Sequence, residues 1–226
     1  MQMPAHTLSS RPWPSIFPRW LFPFVASIAL LIAAGCESDK KSLGSGHDFG
    51  DNDENLVLAM GDSITKGGFS GGTSWPTRFA ARTGKSTIND GIAGATSGVG
   101  ASRIQDLLAR RKPGFVIIFY GANDAIRSVN VERTAANIDA MIGAALDNGS
   151  IPVVATVLPM AEARSVFNGN VEAINLRIRE IAKARRVKVV DLNRAVGDTP
   201  EEFYTDGLHL NNRGEDLVAL EFADLF

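Results

Sequence analysis

The sequence predicts an α/β domain: a parallel sheet with helices packed on both faces. Two observations carry that expectation. Apolar runs of strand length alternate with longer stretches of helical period, and strands separated by helices pair in parallel through right-handed crossovers. Polar, chemically useful residues then follow the strand ends, the edge at which such sheets bind ligands. With 45% hydrophobic and 21% charged residues among 226, the chain has an ordinary globular composition. Its formal net charge of −2 leaves no basic excess for a nucleic-acid backbone.

Each element has its own warrant. Leu56–Met60 is an apolar run stopped by Gly61 and reads as a buried strand. Residues 74–83 read as a helix with Ser74 as cap and Pro76 in the first turn. Residues 85–89 give a weak second strand and 102–111 a helix. Phe115–Tyr120 is a strong strand between Pro113-Gly114 and Gly121, and Val131–Leu146 a helix stopped by Asn148-Gly149. Ile151–Val157 is the fourth strand, Val171–Arg185 a helix, Val187–Asp191 the fifth strand, and Gly214–Phe226 the closing helix. Trp75 and Tyr120 read as packing residues, Asp62 and Asp124 as carboxylates that bond nearby backbone N–H groups.

Ahead of this domain, residues 1–35 hold Arg11, Arg19 and an apolar run from Trp20 to Ala34, too short to span a bilayer comfortably. A basic start, a short apolar middle and a small-residue end mark a secretory signal. Leu31-Ile32-Ala33-Ala34-Gly35-Cys36 resembles the lipobox of bacterial lipoproteins. That resemblance implies cleavage before Cys36, lipidation of its thiol and a membrane anchor in the bacterial cell envelope. Cys36 is the sole cysteine, which excludes an internal disulfide and a cysteine-based metal cluster. Residues 36–54, poor in apolar side chains, read as a flexible tether in which His47 has no role, leaving 55–226 as one domain.

Elimination narrows the chemistry. Near neutral pH the general base is most often histidine, whose free pKa is about 6.5. Outside the leader and tether, His209 is the only one. Asp206, three residues earlier, is close enough in a turn to orient the ring, and an imidazole paired with a carboxylate is two-thirds of a nucleophilic triad. With no thiol in the domain, Ser63, set at a strand-to-helix turn by Gly61, is the best nucleophile.

Four blocks, Gly61-Asp62-Ser63-Ile64, Asn89-Asp90-Gly91-Ile92-Ala93-Gly94, Gly121-Ala122-Asn123-Asp124 and Asp206-Gly207-Leu208-His209, together resemble the SGNH (GDSL) hydrolases. Within that family the chain is similar to bacterial esterases of the thioesterase/lysophospholipase type. Ile64 and Ala122 depart mildly from the pattern. The resemblance implies a three-layer α/β/α, flavodoxin-like parallel sheet of five strands. It also implies Ser63 as nucleophile, His209 as base, Asp206 as its orienter, and an oxyanion hole from the N–H groups of Ser63 and Gly94 and the amide of Asn123. No cofactor or metal is expected.

The expected substrate is a short-chain carboxylic ester, with a sugar O-acetyl ester, a lysophospholipid or a thioester as alternatives, and a non-catalytic tethered binding domain as a further one. The segment 158–170 is expected to wall the acyl pocket. A dehydrogenase reading of the glycines at 94, 98 and 100 fails: that turn follows the second strand, and no Tyr-x-x-x-Lys pair is present. The phosphate-loop pattern is also missing.

Overall fold

The computed structural model describes residues 42–69 and 71–226. The expected leader, Cys36 and the first part of the tether lie outside the described residues.

Five strands, β1 (Asp53–Gly61), β2 (Ser86–Gly91), β3 (Pro113–Phe119), β4 (Ile151–Ala155) and β5 (Lys188–Val190), form one sheet in the order β2-β1-β3-β4-β5. Every pairing is parallel, as the apolar runs predict. Leu58 faces Ile88 on one side and Val116 on the other. Val57–Met60 and Phe115–Phe119 are fully buried, because these central strands are covered on both faces.

The helices are α1 (Ser63–Lys66), α2 (Trp75–Thr83), α3 (Ser97–Arg111), α4 (Ala122–Ile126), α5 (Val131–Asp147), α6 (Asn168–Arg185), α7 (Leu192–Val196) and α8 (Asn212–Ala223). Right-handed crossovers in this strand order send the β1–β2 connection to one face and the next three to the other. The packing agrees: α2 lies against α8, while α3, α5 and α6 pack in succession. The chain reverses direction between β1 and β3, so their carboxyl ends flank the crevice where such sheets bind ligands.

Two helix starts are fixed from a distance. Ser74 precedes α2, as expected, but its hydroxyl does not cap the helix. The Glu215 carboxylate of α8 instead accepts from Trp75 N–H at 2.7 Å. Helix α3 starts five residues before the expected 102. Its opening turn contains Gly98 and Gly100, and Gly100 lies so close to Tyr120 and Met141 that a Cβ there would sit 2.7 and 2.8 Å from them. Packing therefore requires a residue that propensity disfavours.

Part of the expected tether packs on the domain. Residues 42–52 lie along the domain: Leu43 N–H donates to Leu225 O at 3.0 Å, and Phe49 packs against Phe115 with ring centroids 5.2 Å apart. His47 Nε2–H donates to Gly149 O at 2.9 Å. Leu43 and Phe49 pack against the core, and Ser42 Oγ and Asn52 Nδ2 donate to Phe226 O and Asn148 O, both at 2.7 Å.

Candidate active site

Gly61 ends β1 and must be glycine, since a Cβ would fall 2.0 Å from Thr65 Oγ1 and 2.8 Å from Phe119 O. The chain then turns sharply into α1. Asp62 caps that turn by accepting from Ile64 N–H at 2.9 Å, and Ser63 is brought to the carboxyl edge of the sheet, almost buried.

From the other end of the sequence, the turn before α8 carries Asp206 and His209. Asp206 Oδ1 accepts from the N–H groups of Leu208 at 3.1 Å and His209 at 2.8 Å. Its Oδ2 lies 2.9 Å from His209 Nδ1. The opposite ring nitrogen, Nε2, lies 3.0 Å from Ser63 Oγ. Partial burial tends to raise the Asp206 carboxyl, but the bonds from the His209 backbone and ring outweigh it and hold it below the ordinary carboxylate range. A carboxylate kept ionised beside one ring nitrogen leaves the other free to face the hydroxyl.

Asn123 stands in the first turn of α4, beyond β3. Its Nδ2 donates to Ala95 O at 3.1 Å and approaches Asp62 Oδ2 at 3.3 Å, so β1, β2 and β3 each bring one element of the site to the same crevice. Gly94 has φ of +74°, which suits glycine. The N–H groups of Ser63 and Gly94 have no hydrogen-bond partner among the described residues. Burial raises the Asp62 carboxyl to about 7 against the bonds from Ile64 and Asn123. Asp124 has the structural role expected of it, accepting from Ser97 N–H at 2.8 Å and Ser97 Oγ at 2.6 Å and tying α4 to the start of α3. Trp75 and Tyr120 are buried packing residues, as expected.

Two neighbours escaped the sequence reading. The Phe69 ring stacks on His209, and Arg164 pairs with Asp206. Glycines on both sides of Phe69 hint at a loop, but nothing local points it at a histidine 140 positions away. The segment 158–170 does not form a simple pocket wall: Val166 is 77% exposed and Phe167 packs against the core. An open concavity of about 450 Å³ lies at the opposite, amino-terminal edge, lined by Asp48, Asp51, Lys112, Asp147 and Asn148. It has no hydroxyl–imidazole pair, so the chemistry points to the Ser63 edge.

Comparisons with known proteins agree with this architecture. Residues 59–217 match the GDSL-like Lipase/Acylhydrolase family. The chain is 23% identical over 207 residues to thioesterase 1/protease 1/lysophospholipase L1 of Escherichia coli K12, covering 89% of each. It is 32% identical over 100 residues to an arylesterase of Vibrio mimicus, covering 42% of this chain and 50% of that one. A solved structure from Desulfitobacterium hafniense DCB-2, described under the G-D-S-L lipolytic family, superposes with a TM-score of 0.68 at 27% identity, covering 76% of this chain and 100% of that one. The span of the match and the shared sheet lead to one conclusion: this chain belongs to the GDSL-like lipase/acylhydrolase family, and as a member it is an ester hydrolase.

Proposed function

We propose that the protein hydrolyses short-chain carboxylic esters through Ser63, His209 and Asp206. One observation carries the reading: the continuous line from Ser63 Oγ to His209 Nε2 at 3.0 Å and from His209 Nδ1 to Asp206 Oδ2 at 2.9 Å. In this mechanism Ser63 Oγ attacks the ester carbonyl while Nε2 takes its proton. The tetrahedral oxyanion is held by the N–H groups of Ser63 and Gly94 and by Asn123 Nδ2, which exchanges its longer contact with Asp62 Oδ2 for the oxyanion. Collapse expels the alcohol, which receives the proton from Nε2 and leaves an acyl-serine. Water, deprotonated by the same nitrogen, then releases the acid and restores the hydroxyl. Asp206 fixes the ring tautomer and stabilises the imidazolium.

The acyl preference is supported by the connections around the crevice. Residues 92–96 between β2 and α3 and 120–121 between β3 and α4 are short, which favours a small acyl group on the side of the crevice they border. The named activities of the relatives, a thioesterase/lysophospholipase and an arylesterase, make thioesters, lysophospholipids and aryl esters the other arms of the test. A fluorophosphonate should label Ser63 and fail on Ser63→Ala, with labelling much reduced on His209→Ala. A panel of nitrophenyl esters of rising chain length, acetylated xylan, a lysophospholipid and an acyl thioester then ranks the substrates. Labelling that survives Ser63→Ala would overturn the reading.

We also propose that Cys36 carries a lipid anchor and that the domain sits in the bacterial envelope. The support is the sequence from Leu31 to Cys36. Labelled palmitate should enter the chain and be lost in Cys36→Ser; incorporation that persists would refute the anchor.

A further inference from the structure

We propose that Arg164 is a positioning residue of the acid–base pair, holding Asp206 in place and tempering its charge toward His209. The inference rests on the catalytic reading above. The chain leaving β4 is fastened to the turn 204–209 at three points. Tyr204 Oη donates to Pro159 O. Ala161 N–H donates to Gly207 O at 2.9 Å. Arg164 Nη1 donates to the Asp206 carbonyl, and Nη2 lies 3.7 Å from Asp206 Oδ2.

The choice of oxygen matters. Oδ1 is occupied by two backbone N–H groups, whereas Oδ2 is the atom facing His209 Nδ1. The guanidinium and the imidazole therefore share one carboxylate oxygen. A carboxylate stabilises an imidazolium through its field, and a positive charge near the same oxygen cancels part of it. The side chains of Arg164 and Asp206 are 39% and 41% exposed, so solvent screens the effect to a modest size. Charged groups near this turn include Glu162, whose Cβ lies near Gly207, Glu202 and Arg213, which pair with each other at 2.6 Å, and Asp62, buried next to Ser63. The face of the ring is covered by uncharged Phe69. Neither Glu162 nor Asp62 pairs with Oδ2.

The test uses the full chain with two variants. Arg164→Gln loses the charge and, its side chain ending two bonds short of Nη1, the contact with the Asp206 carbonyl; Arg164→Lys keeps the charge. The histidine Cε1–H signals are titrated by NMR, which is tractable because the chain has three histidines. The His47 signal, from a ring held at Gly149 O, reports that the fold persists. The rate constants kcat and KM for nitrophenyl acetate are measured over the same pH range. Arg164→Gln should move the His209 titration and the acidic limb of kcat upward by several tenths of a pH unit. It should also lower kcat about three- to tenfold with KM little changed. Arg164→Lys should keep the limb where the wild type has it. A Gln variant with wild-type titration and kcat, or a Lys variant that shifts as far as Gln, overturns the proposal. Absence of fluorophosphonate labelling in the wild type is a separate outcome: it removes the catalytic reading and this inference with it.

Discussion

The Phe69 ring lies nearly parallel to the His209 imidazole, with centroids 3.7 Å apart and planes 13° from parallel. Phe69 is 45% exposed, so one face is covered by the histidine and much of the rest meets solvent. In the proposed reaction the departing alcohol takes its proton from that imidazole, so its carbon framework must lie beside the ring. Phe69 offers the leaving group an apolar face.

Phe69→Ala should therefore lower kcat/KM for phenyl acetate more than for ethyl acetate, by about three- to tenfold, in line with a stacking contact of about 1 kcal/mol. The acyl group is the same in both esters, so the ratio isolates the alcohol side. Equal losses on the two esters would mean that Phe69 only orders the imidazole.

Asn123→Ala should cost about 10²–10³ in kcat while leaving KM within a few-fold, because an oxyanion donor acts mainly in the transition state. Asn123 also donates to Ala95 O, so thermal unfolding is measured alongside. A large fall in Tm with a small fall in kcat would assign it to the fold instead.

Glu215 gives a pH-dependent stability with a definite sign. Burial lifts its carboxyl from 4.5 to about 7, against the bond from Trp75 N–H and the charge of Arg78. Between those values the folded chain keeps a proton that the unfolded chain has released, so unfolding free energy falls as pH rises through that window and then levels. Asp62 works in the same direction. Glu215→Gln keeps an acceptor for Trp75 and cannot ionise. Urea unfolding at about pH 5 and about pH 8 should show the variant gaining roughly 1–2 kcal/mol on the wild type at the higher pH. Parallel changes in the two proteins would rule this out.

Gly207 and Gly197 form a controlled pair. Both have positive φ, +75° and +67°, but a Cβ at Gly207 would fall 2.6 Å from Ala161 O, while one at Gly197 meets nothing within 4 Å. Gly197→Ala should cost about 1–3 kcal/mol of backbone strain, since its φ of +67° and ψ of −147° lie where side chains are disfavoured. Gly207→Ala should cost more and also reduce kcat, because it pushes the Asp206–His209 turn away from the segment that holds it. Equal effects in chemical unfolding and in rate would contradict that coupling.

Much of the site was legible because its signals are local. Gly61-Asp62-Ser63 and Asp206-Gly207-Leu208-His209 each pack a tight turn and a reactive group into four positions or fewer; the first follows the plain apolar run of β1, and the second directly precedes α8. Strand boundaries at Pro113, Ile151 and Lys188 fell within two residues of expectation. The start of α3 did not, because Gly98 and Gly100 weaken helical propensity and the compensating contacts come from Tyr120 and Met141.

Period, turn chemistry and the scarcity of histidine and cysteine were enough to determine the parallel sheet and to single out Ser63, Asp206 and His209. Folding alone decided which carboxylate caps which helix, with Glu215 reaching Trp75 across 140 positions and Asp124 reaching Ser97 across 27. It also decided that Phe69 covers the imidazole and that Arg164 shares Oδ2 of Asp206. Those are single long-range contacts, fixed by how helices and loops come to rest on the sheet, and no repeating pattern along the chain encodes them.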